Sequence, residues 1–445
     1  MDSKLKRRTI LAVFSAMVLI FAFMAYVNCE TIERRLGVPV TGQTAPAETQ
    51  TVTEQNRQSN GEKTIFGTQV GNNLAAFQYD ETFFDPKLSA AEKLLLENNS
   101  NRLSLVVTSV EKDLRVQVVN AGGFLITDQS LLVTLSDNQD GNSLGEYKDL
   151  DQDGVIYIGD LKAGDYYVTL KPVAGYEVPE NPTKILVKDK VEYVVIDDID
   201  LLILTEDQVN AAAEDTGENG ATEDADKSEM TDIRSENGIF GIDVSKYQGD
   251  IDWEKVRDAG VQFAIIRCGY RGSQTGCLVE DPFFAQNMRG AAEAGIPVGV
   301  YFFTQATNEV EAVEEASMVV TLCERYQLDY PVYIDTEGAG GNGRADALDA
   351  ETRTTVCEAF CSTLRNAGFG AGVYASRNWL NNNLYADRLS SFETWLAEYR
   401  EIPEYEGYYT MWQYTSKGSI DGIEGNVDLD ISYLQPEDTE QEAVD

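Results

Sequence analysis

Apolar and polar positions change their rhythm several times along the chain. Thr9 to Val27 carries no charge and is about the length needed to cross a bilayer core. Lys4, Lys6, Arg7 and Arg8 precede it, while Arg34 and Arg35 beyond it are accompanied by Glu30 and Glu33, so the positive-inside rule leaves the N-terminus cytoplasmic and the rest outside the cell. Residues 1–30 thus read as an uncleaved signal-anchor. Cleavage after Cys29 is the alternative, disfavoured because bulky Phe23 and Met24 interrupt the small residues a signal peptidase needs. Residues 31–72 have no apolar periodicity and read as a tether, and residues 73–102 form a lead-in with one helical stretch at Ser89–Leu96.

From 103 to 205 the pattern turns to short alternating runs between turn residues. They fall at Leu114–Val119, Leu131–Leu135, Val155–Ile158, Asp165–Leu170, Lys184–Val187 and Val191–Ile196, the spacing of an antiparallel sandwich. Residues 206–237 are acidic and poor in aromatics, a linker by composition, and residues 436–445 form a similar tail. Between them, over 238–435, apolar strands alternate with helical patterns. The strands are Ile239–Val244, Val261–Cys268, Pro297–Phe303, Pro331–Ile334, Gly370–Tyr374, Thr394–Ala397, Tyr409–Trp412 and Asn426–Leu429; the helices are Trp253–Ala259, Pro282–Ala294, Asn308–Tyr326 and Asp349–Ala367. The predicted fold class is therefore multidomain: a transmembrane helix, an all-β sandwich, and a C-terminal α/β irregular (β/α) barrel whose later helices are short or missing.

Charge narrows the partners. A formal net charge of -40 over 445 residues excludes nucleic acid, which needs clustered Lys and Arg. With no histidine in the chain and no Cys-x-x-Cys pair, no transition-metal site and no cofactor is expected. Cys357 and Cys361, one helical turn apart, read as packing residues. Asp149-x-Asp151-x-Asp153-Gly154 followed by Asp160 has the spacing of a calcium loop, but it lies between strands and ends in Asp rather than Glu, which favours an Asp-Gly turn.

Without histidine, acid-base chemistry falls to carboxylates. In Tyr333-Ile334-Asp335-Thr336-Glu337 the two acids emerge on one face of a strand, with Cα atoms roughly 6.7 Å apart. That suits glycosidic cleavage, in which one carboxylic acid protonates the leaving oxygen while another stays ionised. Chemistry in a β/α barrel lies at the C-terminal strand ends, which selects Asp243, Asp335, Glu337 and Asp428 as catalytic candidates. Nearby strand ends carry Tyr301, Phe303, Tyr374, Trp395, Trp412 and Tyr414 as stacking faces for sugars, with Gln413 and Arg267 as hydrogen-bond donors.

Two resemblances follow from these residues. Asp153-Gly154-Val155-Ile156-Tyr157-Ile158 through Leu161, Gly164, Tyr166 and Gly175-Tyr176 resembles the prealbumin-like, collagen-adhesin B-type repeats, which implies a stalk or spacer. Gly241-Ile242-Asp243-Val244-Ser245-Lys246-Tyr247-Gln248-Gly249, Phe263 to Tyr270, Gly299 to Phe303, Tyr333 to Glu337, and Trp412-Gln413-Tyr414 leading to Val427-Asp428-Leu429-Asp430 resemble glycoside hydrolase family 25. The resemblance implies a lysozyme that hydrolyses the β-1,4 bond between N-acetylmuramic acid and N-acetylglucosamine in peptidoglycan. It also implies Glu337 as general acid, Asp335 as its stabilising neighbour, and Asp243 and Asp428 as completing the acidic rim. Asp430 stands where the family often has Asn, and Cys268 where Ala is common. The expectation is a membrane-anchored extracellular muramidase, its partners being glycan strands and, through residues 9–27, the membrane. A wall-glycan-binding or adhesion protein that does not cut is the rival, and a chitin-like substrate is a third reading.

Overall fold

The computed structural model describes residues 101–137, 143–210 and 238–434. The anchor expected at residues 9–27, the tether, the lead-in helix, and most of the acidic linker lie outside them. Among the described residues no helix is long and apolar enough to cross a membrane. The described residues divide into two compact units, one holding Asn101–Asn120 and Phe124–Glu192 and the other Ala121–Gly123 and the chain from Tyr193 onwards.

In the first unit, strands β1 (Leu103–Thr108), β2 (Leu114–Asn120) and β5 (Val155–Ile158) form one antiparallel sheet, in the order β1-β2-β5. Strands β3 (Leu132–Ser136), β4 (Ser143–Lys148), β6 (Gly164–Leu170) and β7 (Thr183–Val187) form another, ordered β4-β3-β6-β7. Alternation along each strand sends Leu114, Val116 and Val118 of one sheet and Val133, Leu135 and Val168 of the other into a single apolar core. The expected run Val191–Ile196 forms no strand, and from Tyr193 the chain belongs to the second unit. At the acidic loop, Asp149 accepts from the backbone N–H groups of Gln152 (2.8 Å) and Gly154 (2.9 Å), and Gly154 takes φ +85°, which is an Asp-Gly turn. The carboxylates of Asp149, Asp151 and Asp153 nonetheless converge within 4.8 Å.

The second unit contains a closed eight-stranded barrel. Its strands are β9 (Ile239–Val244), β10 (Phe263–Arg271), β12 (Val298–Phe303), β13 (Val332–Asp335), β14 (Ala371–Ser376), β15 (Glu393–Ala397), β16 (Met411–Gly418) and β17 (Val427–Ser432). They pair in that order, parallel from β9 to β16; β17 runs antiparallel to both β16 and β9 and closes the ring. All eight strands overlap the runs legible in the sequence, although β16 shares only Met411 and Trp412 with the expected Tyr409–Trp412 and continues to Gly418. Two short strands lie outside the ring, β11 (Leu278–Glu280), antiparallel to β10, and β8 (Ile203–Leu204), parallel to β11.

Helices α1 (Trp253–Asp258), α2 (Phe284–Ala294), α3 (Glu309–Cys323), α4 (Ala350–Asn366) and α5 (Arg377–Asn382) follow successive strands. Their starts are written in the sequence: Asp252, Asn308, Asp349 and Ser376 each accept from a backbone N–H three residues on and satisfy a donor the helix leaves open. Large rings fill the lower barrel, with Phe263, Tyr333, Tyr374 and Trp395 in one cluster. Two glycines make room for them. A Cβ on Gly241 would stand 2.2 Å from the Phe263 ring, and one on Gly372 2.6 Å from Tyr333. The five described cysteines are all free, and Cys357 and Cys361 are buried on α4.

Candidate active site

Period two along the strands decides which side chains meet inside the barrel. In β10 the inward set is Phe263, Ile265 and Arg267, and in β13 Tyr333 and Asp335. Lateral register then brings Asp335 beside Phe303 of β12 and Tyr374 of β14, Ala397 beside Gln413, and Asp428 beside Asp243. Above the ring cluster these residues open into a cleft of about 760 Å³. Asp243, Asp335, Glu337, Asp428, Tyr301, Phe303, Arg267, Tyr374, Trp395 and Gln413 all line it.

Trp412 and Tyr414, expected at the cleft, do not line it. They flank inward-facing Gln413 and therefore point to the opposite side of β16, where their rings pack 5.6 Å apart and the Trp412 indole donates to the Glu398 carbonyl at 2.8 Å. Asp428 reaches the cleft from a different end than expected. Strand β17 is antiparallel, so its beginning stands at the rim where the parallel strands end.

The acids are held by a short hydrogen-bonded chain. The Gln413 amide donates to an Asp243 carboxylate oxygen at 2.7 Å, and its own carbonyl accepts from the hydroxyls of Tyr374 and Tyr399, each at 2.9 Å. One level down, Trp395 donates its indole N–H to Asp430 at 2.9 Å. The Trp395 ring also packs edge-on against Tyr374, 4.6 Å between centroids, which fixes the cleft floor. Asp335 is buried, with one oxygen unpartnered. Glu337 lies two residues beyond β13 and is open to the solvent of the cleft.

Electrostatics push this cluster toward protonation. Burial raises Asp243 well above the carboxylate range, and neighbouring Asp430 raises it further against the opposing Gln413 hydrogen bond. Asp335 is likewise raised by burial, then by Glu337 and Asp243, with Arg267 opposing. Desolvation raises Glu337, and Asp428 is pushed up to about 9 by burial, Asp243 and Glu337. Crowded acids cannot all ionise, so the cluster favours retention of protons.

The opposite wall is cationic and aromatic, and sequence reasoning missed most of it. After β9 a 3-10 turn, Lys246–Gln248, is closed by a capping box between Ser245 and Gln248. It presents Lys246 and Tyr247 to the cleft beside Tyr270. Buried Asp281 anchors this wall, accepting from Arg267 Nε at 2.7 Å and from the Lys246 backbone N–H at 3.1 Å. Tyr399, also unforeseen, comes from the loop after β15. Lys246, Tyr247 and Tyr399 sit in turns and loops without periodic signal, and Tyr270 stands near the end of β10, beyond the register shift between Arg267 and Gly269. The capping pattern Ser245-x-x-Gln248 was the only local cue.

The family model for glycosyl hydrolases family 25 matches residues 242–423. The uncharacterized protein YegX of Escherichia coli O157:H7 is 30% identical over 201 residues, which are 43% of this chain and 69% of that protein. The autolytic lysozyme of Clostridium acetobutylicum is 28% identical over 191 residues, 43% of this chain and 54% of the lysozyme. Among solved structures, the modular autolysin LytC of Streptococcus pneumoniae in complex with a synthetic peptidoglycan ligand is 32% identical, covering 45% of this chain and 48% of that one with a TM-score of 0.41. The chain thus spans about half the length of these two lytic proteins.

Proposed function

Starting from the membership of this chain in glycosyl hydrolase family 25, which its C-terminal unit carries, we propose that it is a muramidase cutting the β-1,4 bond between N-acetylmuramic acid and N-acetylglucosamine in peptidoglycan. The observation that carries this reading is the convergence of Asp243, Asp335, Glu337 and Asp428 in one cleft that also offers sugar-sized aromatic faces.

Glu337, the acid most open to the cleft, donates a proton to the leaving oxygen. Partial desolvation by the surrounding cleft walls favours its protonated form before the reaction. Asp335, beside it and facing Arg267, supports positive charge on the sugar as the bond breaks. Gln413 orients Asp243 opposite. The names of the clostridial and pneumococcal relatives, an autolytic lysozyme and an autolysin bound to a peptidoglycan ligand, support the choice of glycan. The sequence alone supports the rest of the proposal: attachment to the membrane through residues 9–27, an extracellular barrel, and the sandwich as spacer.

The test is digestion of purified peptidoglycan followed by borohydride reduction of the new ends. Muramitol is the expected product. Glucosaminitol alone would make the enzyme a glucosaminidase, and tight wall binding without new ends would make the cleft a glycan-binding site.

A further inference from the structure

The matched family region begins at residue 242, yet the second unit begins about fifty residues earlier, at Tyr193. Residues 193–206 form a strap laid along the barrel. The Tyr193 hydroxyl donates to Glu309 at 2.6 Å, the Ile196 N–H donates to Ser317 Oγ at 3.0 Å, and Asn366 donates to the Tyr193 carbonyl at 2.8 Å. A 3-10 turn buries Ile199 and Leu202, and β8 then adds to β11. The strap ends by delivering Glu206 to the cationic wall. There its carboxylate accepts from Lys246 Nζ and, at 2.8 Å, from the Tyr270 hydroxyl.

Lys246 lines the same cleft as the four acids. Facing it are Glu206 from the strap, Tyr247 from its own turn, and Tyr270 and Arg267 from β10, while Asp281 holds its backbone. A lysine side chain is long and flexible, and an ammonium left loose beside several carboxyls is drawn toward them. Arg267 cannot make that move because Asp281 fixes its guanidinium.

We propose that Glu206 is a positioning residue of the catalytic cleft, carried in by the strap to hold Lys246 against Tyr270 and away from the four acids. The inference rests on the muramidase reading for its catalytic consequence. With Lys246 tethered, the cleft stays open and the acids keep their protons. With it released, the ammonium favours their ionised forms, because an opposite charge within a few ångströms lowers a carboxyl pKa.

The experiment uses the full chain as wild type, Glu206→Ala, Glu206→Gln, and Glu206→Ala combined with Lys246→Met. In pH profiles of kcat/KM on peptidoglycan, Glu206→Ala should move the optimum down by about one unit. Glu206→Gln, which retains an acceptor oxygen, should move it less. Lys246→Met in the Ala background should restore the wild-type profile, which a merely structural loss would not do. An unmoved profile, or a shift that the second substitution leaves in place, overturns the proposal. A second readout needs no activity. Raised carboxyl pKa values make stability fall as pH rises through them, so Tm should fall from pH 5 to 9 in wild type, less in Glu206→Ala, and again as in wild type in the double variant. Equal slopes overturn the inference. An inactive wild type would sink the muramidase reading while these slopes still decide the role of Glu206.

Discussion

At the residue scale, the acids are worth more protonated than charged, and their removal separates catalysis from stability. Glu337→Gln keeps the side-chain volume but has no proton to give. Muropeptide release should fall by about 10² to 10⁴-fold without loss of Tm; near-normal turnover would take Glu337 out of the role. Asp428 makes the opposite point. Its folded pKa, about 9, lies above the ordinary 3.8, so the folded state holds a proton that the unfolded state releases. Its contribution is intact below pH 4 and is lost as pH rises toward 9. Asp428→Asn should therefore raise Tm at pH 8 by a few degrees, with about 2–4 °C per kcal/mol in a domain of this size, and change it little at pH 4. A Tm gain equal at both pH values would contradict the assignment. Asp243 and Asp335 were legible because each sits in an apolar alternating strand whose inward face can be counted. Trp412 and Tyr414 were misplaced for the same reason inverted, since their motif was read as a block although neighbours in a strand face opposite ways. Lys246, Tyr247 and Tyr399 were missed because a single sequence gives irregular backbone no period, and Tyr270 because the irregularity of β10 between Arg267 and Gly269 breaks the inward count.

At the scale of elements, the eight ring strands were legible in position, though β16 only in its first two residues, and the strand direction of β17 was not. Nothing local distinguishes a parallel strand from an antiparallel one when both faces are buried. Helix α3 was foreseen as a pattern, but its polar side was not. Glu314 and Glu315 are fully buried there, and Arg271 of β10 reaches both, Glu315 at 2.8 Å and Glu314 at 3.2 Å. Glu315 also accepts from the Thr304 hydroxyl at 2.6 Å, and neighbouring Glu311 pairs with Arg344 at 2.8 Å. This network ties the helix to the strand ends that shape the cleft. Arg271→Met keeps most of the side-chain volume and leaves two buried carboxyls without their cation. Removal of one partner of a buried pair costs about 3–5 kcal/mol, which urea denaturation would read directly; a loss below about 1 kcal/mol would mean that protonation of the glutamates absorbs the change.

At the scale of the whole molecule, the strap redraws where the catalytic unit starts. Its apolar run Ile199 to Leu204 was counted with the sandwich, because short β-like runs precede it and an acidic stretch follows. Composition marks where a chain becomes polar, not which core its last apolar residues join. A fragment of residues 193–434 should outlast one of residues 238–434 in thermal melts by about 10 °C, taking roughly 3 kcal/mol for the buried strap side chains; identical melting would show that the strap adds nothing to the barrel. The antiparallel strand β17 has its own consequence. It is hydrogen-bonded to β9, and Asp428 faces Asp243 across that seam, so the first and last strands of the ring meet at the cleft. A growing polypeptide therefore carries no finished blade. On the muramidase reading, the cleft is complete only once the last strand of the ring has paired with the first.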